Sequence, residues 1–378
     1  MLAIGLVWLR RHIDLNRART QKILSEEDAN CAPPAWPRLT VLVAAKDEEH
    51  NIARCAESLL AQDYPDLQVV AIDDRSSDRT GEILDALAAR NARLTALHVD
   101  RLPEDWFGKT NAMRVGVEHA HGELLCFTDA DCTFDSPRLL RAAVAYAQRE
   151  GLRFLSVLPR LETHGLLEKI VQPVAGALMV FWFPPAKVND PAKPHAYANG
   201  AFMLMSRASY DAIGGHAAVR RTLNEDMHMA RAAKRAGIRL QVVPGGDLYR
   251  VRMYSGFRQI WRGWTRIFYG CFGTLPRLIA TVLVLSIFSL SPYLTLLVSP
   301  LVPAGGGWLA LAAAFAIVVQ QTVLMRFYRV SGARAVWAPS YVLGAVLCLA
   351  MMLNAMTRVG GRTVRWRGTS YRGGAQVD

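Results

Sequence analysis

The sequence predicts an α/β domain on a mostly parallel sheet, followed by C-terminal transmembrane helices. Apolar runs of strand length at 39–44, 67–72, 94–99 and 124–128 alternate with helix-like stretches at 47–61, 80–89, 111–120 and 137–149. Such alternation gives right-handed βαβ units and a parallel sheet covered on both faces. Residues 278–325 contain no Asp, Glu, Lys, Arg or His, and a second uncharged apolar run covers 335–357. Both exceed the roughly 20 apolar residues that carry a helix across a bilayer.

In chain order, residues 1–9 are apolar but too short to span, and read either as an interfacial anchor or as the stump of a longer helix. Residues 10–38 are polar, rich in Arg and then Pro, and read as a linker, so that 1–37 precede a domain expected at 38–255. The first strand runs into Ala45-Lys46-Asp47-Glu48-Glu49 with no G-x-G-x-x-G. A dinucleotide-binding turn or P-loop needs glycines there for backbone N–H groups to approach phosphate, so metal and side chains must neutralise any phosphate.

Ligands bind at the carboxyl ends of such strands. The second strand ends in Asp73-Asp74-Arg75-Ser76-Ser77-Asp78, where a carboxylate can take a nucleobase N–H or ribose hydroxyl, or simply form an Asx turn and helix N-cap. Lys109, after Gly108 at a helix start, suits a phosphate or base, or is a solvated lysine. The fourth strand runs into Thr128-Asp129-Ala130-Asp131, two carboxylates one residue apart. Hard oxygens at that spacing suit Mg²⁺ or Mn²⁺ bridging a diphosphate; the alternative is turn chemistry before the next helix.

Further on, Asn224-Glu225-Asp226 opens a helix. Acidic residues there serve the macrodipole, while Asp226 also suits a general base facing an acceptor hydroxyl. His216 and His228 match no metal spacing. The stretch 253–264 mixes Arg with aromatics, as a helix at headgroup level does. Residues 170–185, with Phe181, Trp182 and Phe183 together, read as a core helix or as an interfacial flap lining entry for a lipid.

The net charge of +12 gathers beside the apolar runs, at Arg326, Arg329 and Arg334 and again at Arg358, Arg362, Arg365, Arg367 and Arg372. That placement anchors a chain at an anionic leaflet rather than tracking nucleic acid. The six cysteines show no CxxC or metal spacing and read as free thiols in a reducing compartment.

Taken in order, strand-K-D-E-E, D-D-R-S-S-D, G-K-x-x-A, D-A-D, N-E-D, Q-x-x-R-x-W and membrane helices resemble the family 2 glycosyltransferases with a GT-A (Rossmann-like) fold. Among them the chain looks most like bacterial lipid-directed hexosyltransferases of ceramide, carotenoid or hopanoid type, a likeness to which Trp366-Arg367-Gly368 and Tyr371 add. The resemblance implies an inverting enzyme moving a sugar from a nucleotide-sugar, a UDP-sugar by expectation, to a lipid acceptor, with a divalent metal (Mg²⁺ or Mn²⁺) as cofactor. It implies a multi-pass protein of the inner membrane with its catalytic domain in the cytoplasm. By resemblance Asp47, Glu48, Asp74, Lys109 and Asp129 contact the donor, and Asp129 and Asp131 bind the metal. Asp226 would be the catalytic base, and Gln259, Arg262 and Trp264 would close over the pyrophosphate and acceptor.

Two departures stand out. A glycine separates Arg262 from Trp264 where the family usually has R-W, which argues against a processive synthase, and the early proline-containing loop is Ala44-Ala45-Lys46. The residues alone also admit a metal-dependent nucleotidyl- or phosphotransferase, or a noncatalytic nucleotide-sugar sensor. The expected layout continues with an amphipathic segment at 256–277, two to three spans within 278–357 and a basic tail at 358–378. Three spans would put that tail outside, against the positive-inside rule, unless one apolar stretch is re-entrant, the run 278–325 does not cross twice, or residues 264–273 are embedded.

Overall fold

The computed structural model describes residues 1–31, 33–272 and 274–357, and the backbone of 364–366, 369–372 and 375–376. Arg358, Arg362, Arg367 and Gly368 lie outside the described residues, as do the side chains of Arg365, Trp366, Tyr371 and Arg372. The chain divides into a sheet unit (Lys22–Glu162, Trp182–Met253 and Thr363–Asp378) and a helix unit (Met1–Gln21, Thr163–Phe181 and Tyr254–Arg362).

In the sheet unit the expected alternation is present. Strands β1 (Leu39–Ala45), β2 (Leu67–Asp74), β3 (Leu94–Val99) and β4 (Leu124–Asp129) are separated by helices Ile52–Leu60, Thr80–Ala88 and Gly108–Glu118. β1 and β2 are buried nearly throughout, which is why they read as continuous apolar runs rather than alternating ones. β5 (Cys132–Phe134) and helix Leu139–Arg149 follow, then β6 (Phe154–Leu158), β7 (Arg160–Leu161), β8 (Met203–Ser206), β9 (Leu240–Pro244) and β10 (Tyr249–Val251). The main sheet has the order β3-β2-β1-β4-β8-β6-β9, and β5-β10-β7 form a small second sheet. Only β8 runs antiparallel to its neighbours β4 and β6; every other pairing in the main sheet is parallel.

The helix unit contains helices Leu2–Arg19, Leu166–Trp182 and Phe257–Phe272, then Leu275–Val284, Ser291–Val298, Gly306–Val330 and Tyr341–Met356. Residues 10–19, read as linker, are therefore helical, and the apolar stretch 170–185 contributes a helix to this unit from between β7 and β8. Among the described residues four stretches are long and apolar enough to cross a membrane: Leu166–Val188, Leu275–Leu301, Gly306–Val330 and Ala335–Met356. Pro292 removes one N–H from the Leu275–Leu301 stretch, and the Phe288 carbonyl one turn back accepts the Trp8 indole N–H at 2.7 Å. Trp264 is buried, its indole N–H donating to the buried Gln172 at 2.8 Å.

Candidate active site

The register of the parallel strands sets the site. Ala45 lies opposite Asp73 and Ala44 opposite Asp129, so the acidic ends of β2 and β4 emerge on either side of the end of β1. Asp47 leaves β1 with φ +53 and accepts the Ser77 N–H at 2.8 Å, tying the first loop to the second. Glu48 is buried and takes the Asn51 amide at 2.7 Å. Asp74 is buried in a two-pronged pair with Arg75, at 2.8 and 3.0 Å. A Cβ on Gly108 would lie 2.3 Å from the Asp74 carboxylate, so only glycine lets this helix start approach so closely.

Lys109 is the second residue of helix Gly108–Glu118 and the hub of the site. Its Nζ lies 2.5 Å from Asp129 and 2.6 Å from Glu225. Burial works against the ammonium, but the two carboxylates outweigh it and hold the Lys109 pKa above the ordinary lysine range. Asp226 stands beside Glu225 at the start of helix Glu225–Arg235. Its carboxylate accepts the Gly200 N–H at 3.0 Å and the Met227 N–H at 2.7 Å. Burial, and then the Glu225 charge, push its pKa up to about 7, against the pull of Lys109 and those two N–H groups. A Cβ on Gly200 would stand 3.0 Å from Lys109 Nζ and 3.6 Å from both Asp129 and Asp226, so the three groups face one point.

Asp131 lies one turn beyond, partly exposed, its carbonyl accepting the Arg252 N–H at 3.3 Å. Beneath the pair lie buried Cys55 and Cys132, whose thiols burial keeps protonated. His216 donates or accepts at 2.9 Å with Tyr210, and burial, then Lys109, push its pKa down to about 3, leaving a neutral packing residue.

Among the described residues no three His, Cys, Asp or Glu side chains cluster as a metal cage. Asp129 and Asp131 supply two hard carboxylates at the open end of a strand. That donor set fits Mg²⁺ or Mn²⁺ in the mode where the remaining ligands are water and substrate phosphate.

Gln259, Arg262 and Trp264 belong to the helix unit. Arg262 is exposed, Gln259 accepts the Ser255 N–H at 3.0 Å, and Trp264 is the packing residue described above. By sequence pattern Glu225 serves the helix dipole and Gly200 has no role. Two adjacent carboxylates opening a helix were the available signal for Glu225; Gly200 had none, because its approach to Lys109 is a tertiary contact.

Ligands bind along the carboxyl edge of such a sheet, and the likeness to known proteins makes this chain a glycosyltransferase. The model described as Glycosyl transferase family 2 matches residues 40–225, and that described as Glycosyl transferase family group 2 matches residues 189–357. The chain belongs to the family 2 glycosyltransferases. It is 28% identical over 265 residues, 69% of each chain, to the 4,4'-diaponeurosporenoate glycosyltransferase of Staphylococcus aureus strain MRSA252. It is 29% identical over 254 residues, 66% of each chain, to the protein of the same name from strain USA300. The mannosyltransferase PcManGT of Pyrobaculum calidifontis, solved with GDP-Man and Mn²⁺, shares the fold, with a TM-score of 0.54 at 18% identity over 94% of this chain and 95% of that one.

Proposed function

We propose that this glycosyltransferase inverts the anomeric carbon as it moves a sugar from a UDP-sugar to a hydroxyl of a membrane lipid of carotenoid, sphingolipid or hopanoid type, at the cytoplasmic face of a bacterial inner membrane. The observation that carries the reading is the Asp226 carboxylate. Two backbone N–H groups fix it, and its pKa near 7 suits a base working at neutral pH. Asp226 takes the proton of the acceptor hydroxyl, that oxygen bonds to C1 from the face opposite the leaving group, and the nucleoside diphosphate departs with the old bonding pair. One displacement gives inversion.

Asp47, Glu48 and Asp74 bind the nucleoside. Lys109 places its charge on the diphosphate, exchanging part of its pairing with Asp129 for phosphate oxygen. Asp129 and Asp131 hold the divalent cation, which when bound neutralises charge gathering on the leaving diphosphate. Arg262 and Gln259 serve the pyrophosphate, and Trp264 fixes the helix that carries them. The carotenoid-directed relatives and the apolar helix unit support a lipid acceptor over a soluble one.

The test is UDP release from a panel of UDP-sugars by the full chain in lipid nanodiscs, with Mg²⁺ or Mn²⁺ and a lipid alcohol. Asp226→Asn and Asp131→Ala are each expected to lower kcat/KM by about 100-fold or more. Full activity in either variant refutes the scheme.

A further inference from the structure

We propose that of the four long apolar stretches only Leu275–Leu301 and Gly306–Val330 cross the bilayer, and that Leu166–Trp182 and Ala335–Met356 both enter and leave through the face that carries the sheet unit. These two segments then offer a lipid-facing surface to the acyl chains of that one leaflet. The proposal rests on connectivity and helix contacts and is independent of which sugar or acceptor is used.

Among the described residues the chain passes between the two units at four junctions, 21/22, 162/163, 181/182 and 253/254. A folded sheet cannot thread a bilayer, because its loops and edges would leave backbone groups unpaired in hydrocarbon, so all four junctions share one face. Helix Leu166–Trp182 lies between the second and third of them. Were it to cross, β8 would stand on the far side of the membrane from β6, with which it pairs.

The last apolar stretch is placed by side-chain contacts within the helix unit. Ser289 Oγ is 2.9 Å from Tyr341 OH, and Gln320 Nε2 is 3.3 Å from the Ser289 carbonyl. Tyr341 therefore starts its helix level with the middle of both crossing helices, roughly 21 Å along from Leu275 at 1.5 Å per residue. The same helix ends near Asn354, whose amide reaches Thr265 at 3.5 Å, and Thr265 belongs to the helix that directly precedes Leu275. It begins at mid-depth and runs back toward the side on which the first crossing started.

The N-terminal helix gives an independent check. His12 meets Thr322 at 3.2 Å and Asn16 meets Arg326 at 2.5 Å, so Leu2–Arg19 runs parallel to Gly306–Val330 and delivers the chain to the first junction beside Val330. Residues 302–305 form the opposite turn and carry no charge, whereas Arg17, Arg326, Arg329 and Arg334 gather at the junction face. With Thr357 on that face too, the Arg-rich tail starts there, and the positive-inside rule is satisfied. The lipid-facing surface of the two returning segments is made by exposed Val180, Phe181, Leu343, Val346 and Leu353.

Single cysteines in the full chain, probed with a membrane-impermeant maleimide in sealed vesicles of both orientations, test this. Cys31, the one exposed cysteine among the six, marks the side of the sheet unit, and Cys31→Ser supplies the background for the other positions. Thr357→Cys is expected to label from the Cys31 side and Ala304→Cys from the opposite side. Gly176→Cys, whose side chain meets nothing within 4 Å, is expected to label only after detergent is added. Labelling of Thr357→Cys from the Ala304→Cys side means three crossings and overturns the proposal. Labelling of Gly176→Cys in sealed vesicles overturns the membrane insertion of Leu166–Trp182.

Discussion

Replacing Glu225 by Gln is the sharpest probe of the site, because it removes a charge while keeping an oxygen for Lys109, now 2.6 Å away. The Glu225 charge is one cause of the raised Asp226 pKa. Two neighbouring carboxylates roughly 6 Å apart at an effective dielectric of ~20 repel by about 3 kcal/mol, or about two pH units. Asp226 is partly exposed, and solvent screening reduces this to about one unit. The sign follows directly. With the repulsion gone the ionised base is less disfavoured, and Lys109 loses a neutralising partner, so both effects lower the Asp226 pKa. The acid limb of kcat/KM, expected near pH 7 in the parent, is expected near pH 6. At pH 6 the ionised fraction then rises from about one-tenth to about one-half, a roughly five-fold gain relative to the plateau. The assay is sugar transfer between pH 5 and 9 at fixed metal, each variant normalised to its own plateau so that a lower plateau leaves the comparison intact. A limb that stays in place or moves upward refutes the assignment of Asp226 as base and of Glu225 as the residue that tunes it.

Gly200→Ala puts a methyl 3.0 Å from Lys109 Nζ, and is expected to lower kcat/KM at least ten-fold with an unchanged circular dichroism spectrum; parent-like activity argues against convergence of Lys109, Asp129 and Asp226. Trp264→Phe leaves the buried Gln172 amide oxygen without its donor and is expected to cost about 1–3 kcal/mol, read as a lower Tm in detergent. Gly108→Ala crowds Asp74 and is expected to raise the donor KM more than it lowers kcat, which steady-state kinetics with varied donor would show. Removing divalent cation with EDTA is expected to abolish transfer, with recovery on adding Mg²⁺ or Mn²⁺, since without it Asp129 and Asp131 meet the diphosphate as bare carboxylates that repel it.

The parallel half of the sheet was legible because β1 and β2 are buried on both faces, which writes them as unbroken apolar runs. β8 was not, since Met203–Ser206 is four residues long and is specified by the β4 and β6 edges rather than by its own pattern. The position of Asp129 at the end of β4 could be read from order alone, but the ion pairs joining Lys109 to Asp129 and Glu225 come from elements far apart in sequence. Charge-free runs marked the C-terminal helices, whereas Leu166–Val188, which carries Glu168, Lys169 and Lys187, has no run of that length. Hydropathy has no direction, however, so the end-to-end placement of Tyr341–Met356 needed the contacts of Tyr341 and Asn354.

The antiparallel strand β8 also constrains how the protein is made. It bridges β4 and β6, yet the ribosome reaches it only after the apolar helix Leu166–Trp182 has emerged. Until then β4 presents an open edge of unpaired N–H and C=O groups, a template for association with other nascent chains. Early capture of that helix by the membrane would shorten the exposed interval and hold the sheet's two halves within reach. A fragment ending before the C-terminal helices still carries Leu166–Trp182 without the helix Tyr341–Met356, on whose Gly344 the Ile170 carbonyl packs directly. Such a fragment is expected to be sticky rather than a tractable soluble enzyme, and production of this catalytic domain is best begun from the whole chain.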